Sequence, residues 1–379
     1  MRPRSAVLYI GLFTALFAVG LSSARPGSTW RQDVPSTTAP LVFGIYPGGA
    51  AGTVGPSGRA RPEVPRARRQ ALRRLRGSDA RPFVLHLYDS YTRPSDAAAV
   101  PPRLASQIAR YTADNFQVEL VLAYRPDDRA GDVAGFTDFV RARVRQLASN
   151  PDIAHLQVTN EANVVEAPEA ADGAYPDARM ALVRGVIAAK TEARRSGRAD
   201  LEIGFNWAYQ RGRAEAAFFS SLRAAGGSAF ADAVDWVGLD AYPGTWGPLL
   251  APGDTAGAAR RATLQAIRML RRRLLPLAGL QGATLHVSES GYPTGRGRSE
   301  AKQRIVLRAV VRAVAAARAR YGVSDYRWFA LRDSDTSNPS VESHYGITRD
   351  DYRPKLAFSS YRRLIARLGE GRPRRPAPR

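Results

Sequence analysis

A chain of 379 residues with 44% hydrophobic content can bury a large core, and without cysteine it has neither disulfides nor thiolate metal sites. The formal charge of +22 is carried almost wholly by arginines spread along the chain, with lysine only at Lys190, Lys302 and Lys355. No zinc-finger spacing or RNP-like aromatic motif accompanies that charge, so nucleic acid is not the expected partner, whereas salt-dependent association with anionic envelope polymers is. Four histidines, His86, His155, His286 and His344, form no H-x-H or H-E-x-x-H pair; neither metal nor cofactor is expected.

Arg2 and Arg4 precede an apolar stretch from Ala6 to Gly20, closed by Ser22-Ser23-Ala24. The stretch is shorter than the roughly 18 to 20 residues a membrane span needs. Residues 1–24 therefore read as a secretory signal peptide, with an uncleaved anchor as the alternative, and a secreted or envelope-associated monomer is expected. A polar linker, RPGSTWRQDVPSTTAP, covers 25–40.

From 41 to 368 short apolar segments alternate with amphipathic ones. Strands are expected at 41–48, 83–90, 117–126, 155–163, 201–209, 234–244, 284–293 and 326–335, and helices at 65–77, 101–115, 132–150, 177–197, 213–230, 256–275, 298–321 and 355–368. In the third helix Val133, Phe136, Phe139, Val140, Val144 and Leu147 recur at three- and four-residue intervals and mark one buried face. Leu264, Ile267, Leu270 and Leu274 do the same in the sixth, which Asp254-Thr255 can cap. Val306, Val310, Ala313 and Ala317 form the stripe of the seventh. Eight βα units bury both faces of a parallel sheet by closing it, so the fold class is α/β, a single (β/α)8 TIM barrel. An open doubly wound sheet competes, but YPGGAAGTVGPSG after the first strand carries neither G-x-G-x-x-G nor G-K-[ST] and reads as a long loop. The Pro/Arg-rich tail 369–379 is expected to be disordered.

All strand C-termini of such a barrel open on one face, where catalytic groups collect. Strand four ends in Asn160-Glu161, strand seven in Ser288-Glu289-Ser290-Gly291-Tyr292-Pro293, and strand six in Asp240-Ala241-Tyr242-Pro243 with Trp246 just beyond. Carboxylates from strands four and seven can face one another across the mouth.

This arrangement resembles clan A of the retaining glycoside hydrolases, with Asn-Glu on strand four and Glu on strand seven. VSESGYPT and GLDAYPGTWG are similar to strand-seven and strand-six segments of the endo-β-1,3-glucanase and endo-β-1,4-galactanase families. The resemblance implies that Glu161 is the acid/base and Glu289 the nucleophile, about 5 to 5.5 Å apart, cleaving β-glycosidic bonds by double displacement. The acid's pKa should be raised by burial and by the charge of its partner. It also implies that Asn160 bonds the sugar hydroxyl beside the anomeric carbon and that Tyr242 donates to the nucleophile. Trp246, Trp207 and Tyr292 are expected as sugar-stacking aromatics and Asn206 as a hydroxyl contact, while Tyr46, His86 and Tyr88 line the subsite farthest from cleavage. Core or rim packing is the plain alternative for Trp207, Trp246, Tyr292 and His86. His155 and His286 read as structural, Asp240 as a support for the site or an ordinary strand end, and Arg332-Asp333 as an ion pair or a sugar contact. Two departures stand out. FVLHLYDS holds no arginine where many clan members have one on strand two, and WFALRDSD ends strand eight without an aromatic. They motivate a second reading, a catalytically inactive glycan-binding barrel of the cell envelope.

Overall fold

The computed structural model describes residues 39–48, 60–210, 214–246, 250 and 253–369. The expected signal peptide, most of the linker and most of the tail lie outside the described residues. Among them, eight parallel strands close into a barrel in sequence order, with β1 pairing both β2 and β8. The strands are β1 Val42–Ile45, β2 Phe83–Tyr91, β3 Gln117–Tyr124, β4 Ile153–Val158, β5 Glu202–Ala208, β6 Trp236–Asp240, β7 Thr284–Glu289 and β8 Val323–Trp328.

The helices are α1 Pro65–Arg76, α2 Pro102–Ala113, α3 Val133–Leu147, α4 Ala178–Arg195, α5 Ala214–Ala231, α6 Thr255–Met269, α7 Leu275–Ala278, α8 Glu300–Tyr321 and α9 Leu356–Leu368. A π-helical turn, Leu270–Leu274, joins α6 to α7, so the sixth expected helix is one segment with a bulge. Their starts follow the sequence signals. Asp254 Oδ1 accepts from Gly257 N at 3.0 Å, and Asp132 Oδ1 from Gly135 N at 2.8 Å, satisfying amides that the first turn leaves free. The periodic residues Phe136, Phe139, Val140 and Val144, and likewise Val306, Val310, Ala313 and Ala317, are buried against the sheet.

The barrel interior departs from the usual branched aliphatic filling. Its lower layers hold His86, Glu119, His155, His286, Asp325 and Arg327, all buried. Glu119 Oε2 lies 3.0 Å from Arg327 Nη2, and His286 stacks on Trp236 with ring centroids 4.4 Å apart. Glycine makes room for these side chains: a Cβ on Gly44 would sit 2.9 Å from Arg327 Cγ, and one on Gly204 2.3 Å from the Trp236 ring.

Strand eight departs from expectation. It runs Val323–Trp328 rather than from 326, so Trp328 is its last residue and not near its start. Side chains alternate faces along a strand. Tyr326 packs on Tyr361 of α9, and Trp328, two residues on, shares that outward face and is fully buried. The next residue, Phe329, stands at the mouth, so an aromatic does follow the strand.

Candidate active site

The site begins with strained backbone after β4. Thr159 and Glu161 adopt φ of 63° and 49°, the left-handed region, on either side of Asn160. A β-branched residue at positive φ is unfavourable by itself and persists only where surrounding contacts impose it. Those contacts come from Asp172, in the loop before α4: its Oδ2 accepts from Asn160 N at 2.7 Å and from Tyr124 N at 2.6 Å, while its own amide donates to Asn160 O at 2.8 Å. From the other side Glu161 N donates to Asn206 Oδ1 at 2.7 Å. The chain therefore turns sharply and delivers Glu161 into the mouth.

Glu289 ends β7. Tyr88 of β2 donates to its Oε1, and Tyr242, just past β6, donates to its Oε2 at 2.5 Å, the contact that the resemblance implies. Asp240 ends β6 between the two glutamates. Its Oδ1 accepts from Ser288 Oγ at 2.6 Å, and Asn206 Nδ2 donates to its Oδ2. Glu161, Asp240 and Glu289 each bring a carboxylate oxygen within 4.8 Å of the others. Three such groups in a water-poor mouth cannot all ionise cheaply. Burial, then the charges of Glu289 and Asp172, raises the Glu161 pKa to about 8. Burial, then Glu289 and Glu161, pushes Asp240 well above its ordinary range, and burial lifts Asp172 to about 7. A carboxyl still protonated at neutral pH thus faces one held by two phenol hydroxyls.

Aromatic rings surround the pair. Phe329 stacks on Tyr46 at 4.7 Å between centroids with the planes 3° apart, and Tyr345 meets both Phe329 and Tyr242 edge-on. Trp246 is 65% exposed at the rim and donates from Nε1 to Tyr345 Oη at 2.7 Å.

Several expected site residues lie elsewhere. Trp207 is fully buried on the outward face of β5, where its Nε1 donates to Glu215 and its ring meets Phe219 of α5, so it offers no sugar platform. Tyr292 is 2% exposed under the Arg298 guanidinium, 4.9 Å from its ring centroid, and is likewise a packing residue. Asn206 is fully buried, and its amide is spent on Glu161, Asp240 and Asn160; it positions the carboxylates rather than meeting a hydroxyl. Asn160 is 5% exposed and donates from Nδ2 to Ala170 O at 2.8 Å, leaving one amide proton. Tyr46 is half-buried in the mouth, but His86 lies beneath it, at 3.5 Å from Glu289, not in a distant subsite. Arg332 bonds the backbone carbonyls of Arg61, Pro62, Asp333 and Ser334, and Asp333 pairs with Lys355 at 2.7 Å; both are structural.

A second group, His155, Glu202 and His286, also has potential ligand atoms within 4.8 Å of one another, at the opposite end of the barrel. Arg327 Nη2 lies 3.4 Å from His155 Nδ1 there, a cation where a metal ligand would need its own acceptor, so the group fits an ion-pair network better.

No family model and no curated protein matches the sequence. Among solved structures, a family 39 glycoside hydrolase from the gut symbiont Bacteroides cellulosilyticus WH2 superposes with a TM-score of 0.59 at 13% identity, over 87% of this chain and 64% of that one. A β-glucosidase from Thermotoga maritima gives 0.57 at 10% identity over 88% and 99%. A β-glucuronidase from an uncultured Clostridium sp. gives 0.53 at 12% identity over 86% and 51%. The chain thus spans under two thirds of the first of these proteins and about half of the last. At such identities the likeness establishes the (β/α)8 fold that these glycoside hydrolases have. Among the described residues no helix is long and apolar enough to cross a membrane.

Proposed function

We propose that the protein is an exported retaining glycoside hydrolase that cleaves β-glycosidic bonds of a polysaccharide or cell-wall glycan. The observation that carries this reading is the convergence of Glu161 and Glu289 within 4.8 Å at the C-terminal mouth of the barrel. A separation of no more than that lies below the roughly 6.5 to 9.5 Å at which inverting enzymes leave room for a water, and it is compatible with the roughly 5 to 5.5 Å of retaining ones. Glu289, oriented by Tyr88 and Tyr242, attacks the anomeric carbon while Glu161 gives its proton to the departing oxygen. In the second half Glu161, now ionised, takes a proton from the water that displaces Glu289. The raised pKa of Glu161 suits both halves, since a general acid must hold its proton until the transition state and then work as a base.

The sugar in the cleaved position would rest against Tyr46 and Phe329, whose apolar faces match the C–H face of a pyranose, with Trp246 taking the next unit at the rim. The free amide proton of Asn160 is available to the hydroxyl next to the anomeric carbon. A cleft of about 720 Å³ is lined by Tyr46 together with Arg61, Arg103 and Arg110, beside α1 and α2, and offers room for further sugar units. The strand-six and strand-seven segments are similar to those of the endo-β-1,3-glucanase and endo-β-1,4-galactanase families, which supports a β-linked glycan as the substrate class. Export rests on residues 1–24.

A panel of aryl β-glycosides with wild type, Glu161→Ala and Glu289→Ala tests the reading, with the product anomer followed by proton NMR. Turnover with retention that is lost in Glu289→Ala is expected. Unchanged turnover in both variants rules the assignment out. Glycan binding without turnover by wild type would favour the inactive barrel instead.

A further inference from the structure

Where many enzymes with this site carry an arginine on strand two, β2 offers His86 and Tyr88, two residues apart and so on one face. The geometry points to His86 as an imidazolium at neutral pH, a positioning residue that supplies the positive charge beneath Glu289. This rests on Glu289 being the nucleophile.

The hydrogen-bond directions lead there. Tyr88 has one hydroxyl proton, and it is given to Glu289 Oε1. The phenol oxygen can then only accept from His86 Nε2, 3.0 Å away, so that nitrogen carries a proton. On the other side of the ring Nδ1 lies 2.6 Å from Glu119 Oε1. Glu119 is fully buried, with Arg327 Nη2 3.0 Å from its other oxygen. Burial opposes its charge, but Arg327, His286 and His86 outweigh burial and hold it well below the usual carboxylate range. An ionised carboxylate only accepts, so Nδ1 carries a proton as well. The opposite arrangement, with Tyr88 donating to His86, would turn a phenol lone pair toward Glu289 and require the nucleophile itself to be protonated.

Every group facing the ring fits a cation. They are Glu119 of β3, Glu289 of β7 at 3.5 Å from Nε2, and Tyr88 of β2. Tyr46 after β1 meets Tyr88 edge-on, and beyond Glu119 stand Arg327 of β8 and His286 of β7, whose Nδ1 is 3.8 Å from Glu119 Oε2. Burial pulls the His86 pKa down, yet Glu119 and Glu289 leave it raised. Unlike a guanidinium, this charge can be lost, so it gives the nucleophile an alkaline limit separate from that of the acid.

The decisive experiment labels the full chain with 15N-histidine and follows the His86 ring nitrogens by NMR against pH, assigned with His86→Gln. Both nitrogens should be protonated at pH 7 and stay so well above the ordinary histidine pKa. A neutral His86 at pH 7 overturns the inference, whether or not the protein is an enzyme. Kinetics on 2,4-dinitrophenyl β-D-glucoside, β-D-galactoside and β-D-glucuronide complete the test, because that leaving group needs no proton from Glu161. On whichever is turned over, His86→Gln should lower kcat about 100-fold with little change in KM, and His86→Arg should recover most of the loss and remove the alkaline limit. Equal losses in Gln and Arg, with the alkaline limit unchanged, would reduce His86 to packing. Absence of turnover on all three in wild type counts against the hydrolase reading, while the NMR result stands by itself.

Discussion

Replacing Glu161 by Gln should change how stability depends on pH, by an amount the site geometry sets. In the folded protein the Glu161 carboxyl has a pKa of about 8, against 4.5 for the free side chain. The folded state therefore binds this proton more tightly, and the stability it contributes is complete below about pH 4.5 and lost as pH rises toward 8. A shift of that size has a ceiling of about 5 kcal/mol at roughly 1.4 kcal/mol per pKa unit. Part of it disappears because the carboxyl faces the cleft mouth and shares its proton equilibrium with Asp240, so about 2 kcal/mol is a fair expectation. Gln is neutral at every pH and nearly the same shape. Urea unfolding of the two proteins at pH 5 and pH 8.5 should show nearly equal midpoints at the lower pH and a more stable variant at the higher one. Parallel pH dependence in wild type and Glu161→Gln would mean that Glu161 is ionised in the folded protein, and the acid role would fall with it.

Other consequences are open to direct measurement. On substrates with poor leaving groups, kcat/KM should fall as pH rises through about 8, following loss of the Glu161 proton, and a limb unmoved in the Asp240→Asn variant would disconnect that pair. Tyr242→Phe removes one of two phenol hydrogen bonds to Glu289 and should cost about 10- to 100-fold in kcat, the value of roughly 1.5 to 3 kcal/mol for a bond to a charged group, at nearly constant KM. Asp172→Ala leaves the Asn160 and Tyr124 amides without their acceptor, so thermal unfolding should report a loss of about 1 to 3 kcal/mol together with lower activity. Trp246→Ala should raise KM for oligosaccharides about tenfold while sparing kcat on short aryl glycosides; a kcat effect alone would place Trp246 outside sugar binding.

The barrel was legible because each βα unit announces itself twice, by a short apolar run and then by a 3.6-residue stripe. The two glutamates were legible for a related reason: in a closed parallel barrel, being at a strand end fixes which face a residue serves. Alternation held more than was read from it. If Asn206 points into the barrel, Trp207 points out toward α5, and if His86 and Tyr88 share the inner face, they belong under the mouth rather than at its edge. Phe329 was missed because strand eight starts three residues earlier than its aromatic cluster suggests, which shifts the apparent strand end past it. Asp172 and Tyr345 had no local signal at all. Both act from loops, one clamping the turn at Asn160 and the other backing Trp246, and only the folded chain brings them there.

The most direct single measurement is mass spectrometry of the intact and digested protein after incubation with 2,4-dinitrophenyl 2-deoxy-2-fluoro-β-glycosides. A stoichiometric mass increase of one fluorosugar, carried by the peptide containing Glu289 and absent in Glu289→Ala, is the predicted result. A label on Glu161 or Asp240, or inverted product from a turning-over enzyme that never acquires one, would contradict the double displacement at these residues.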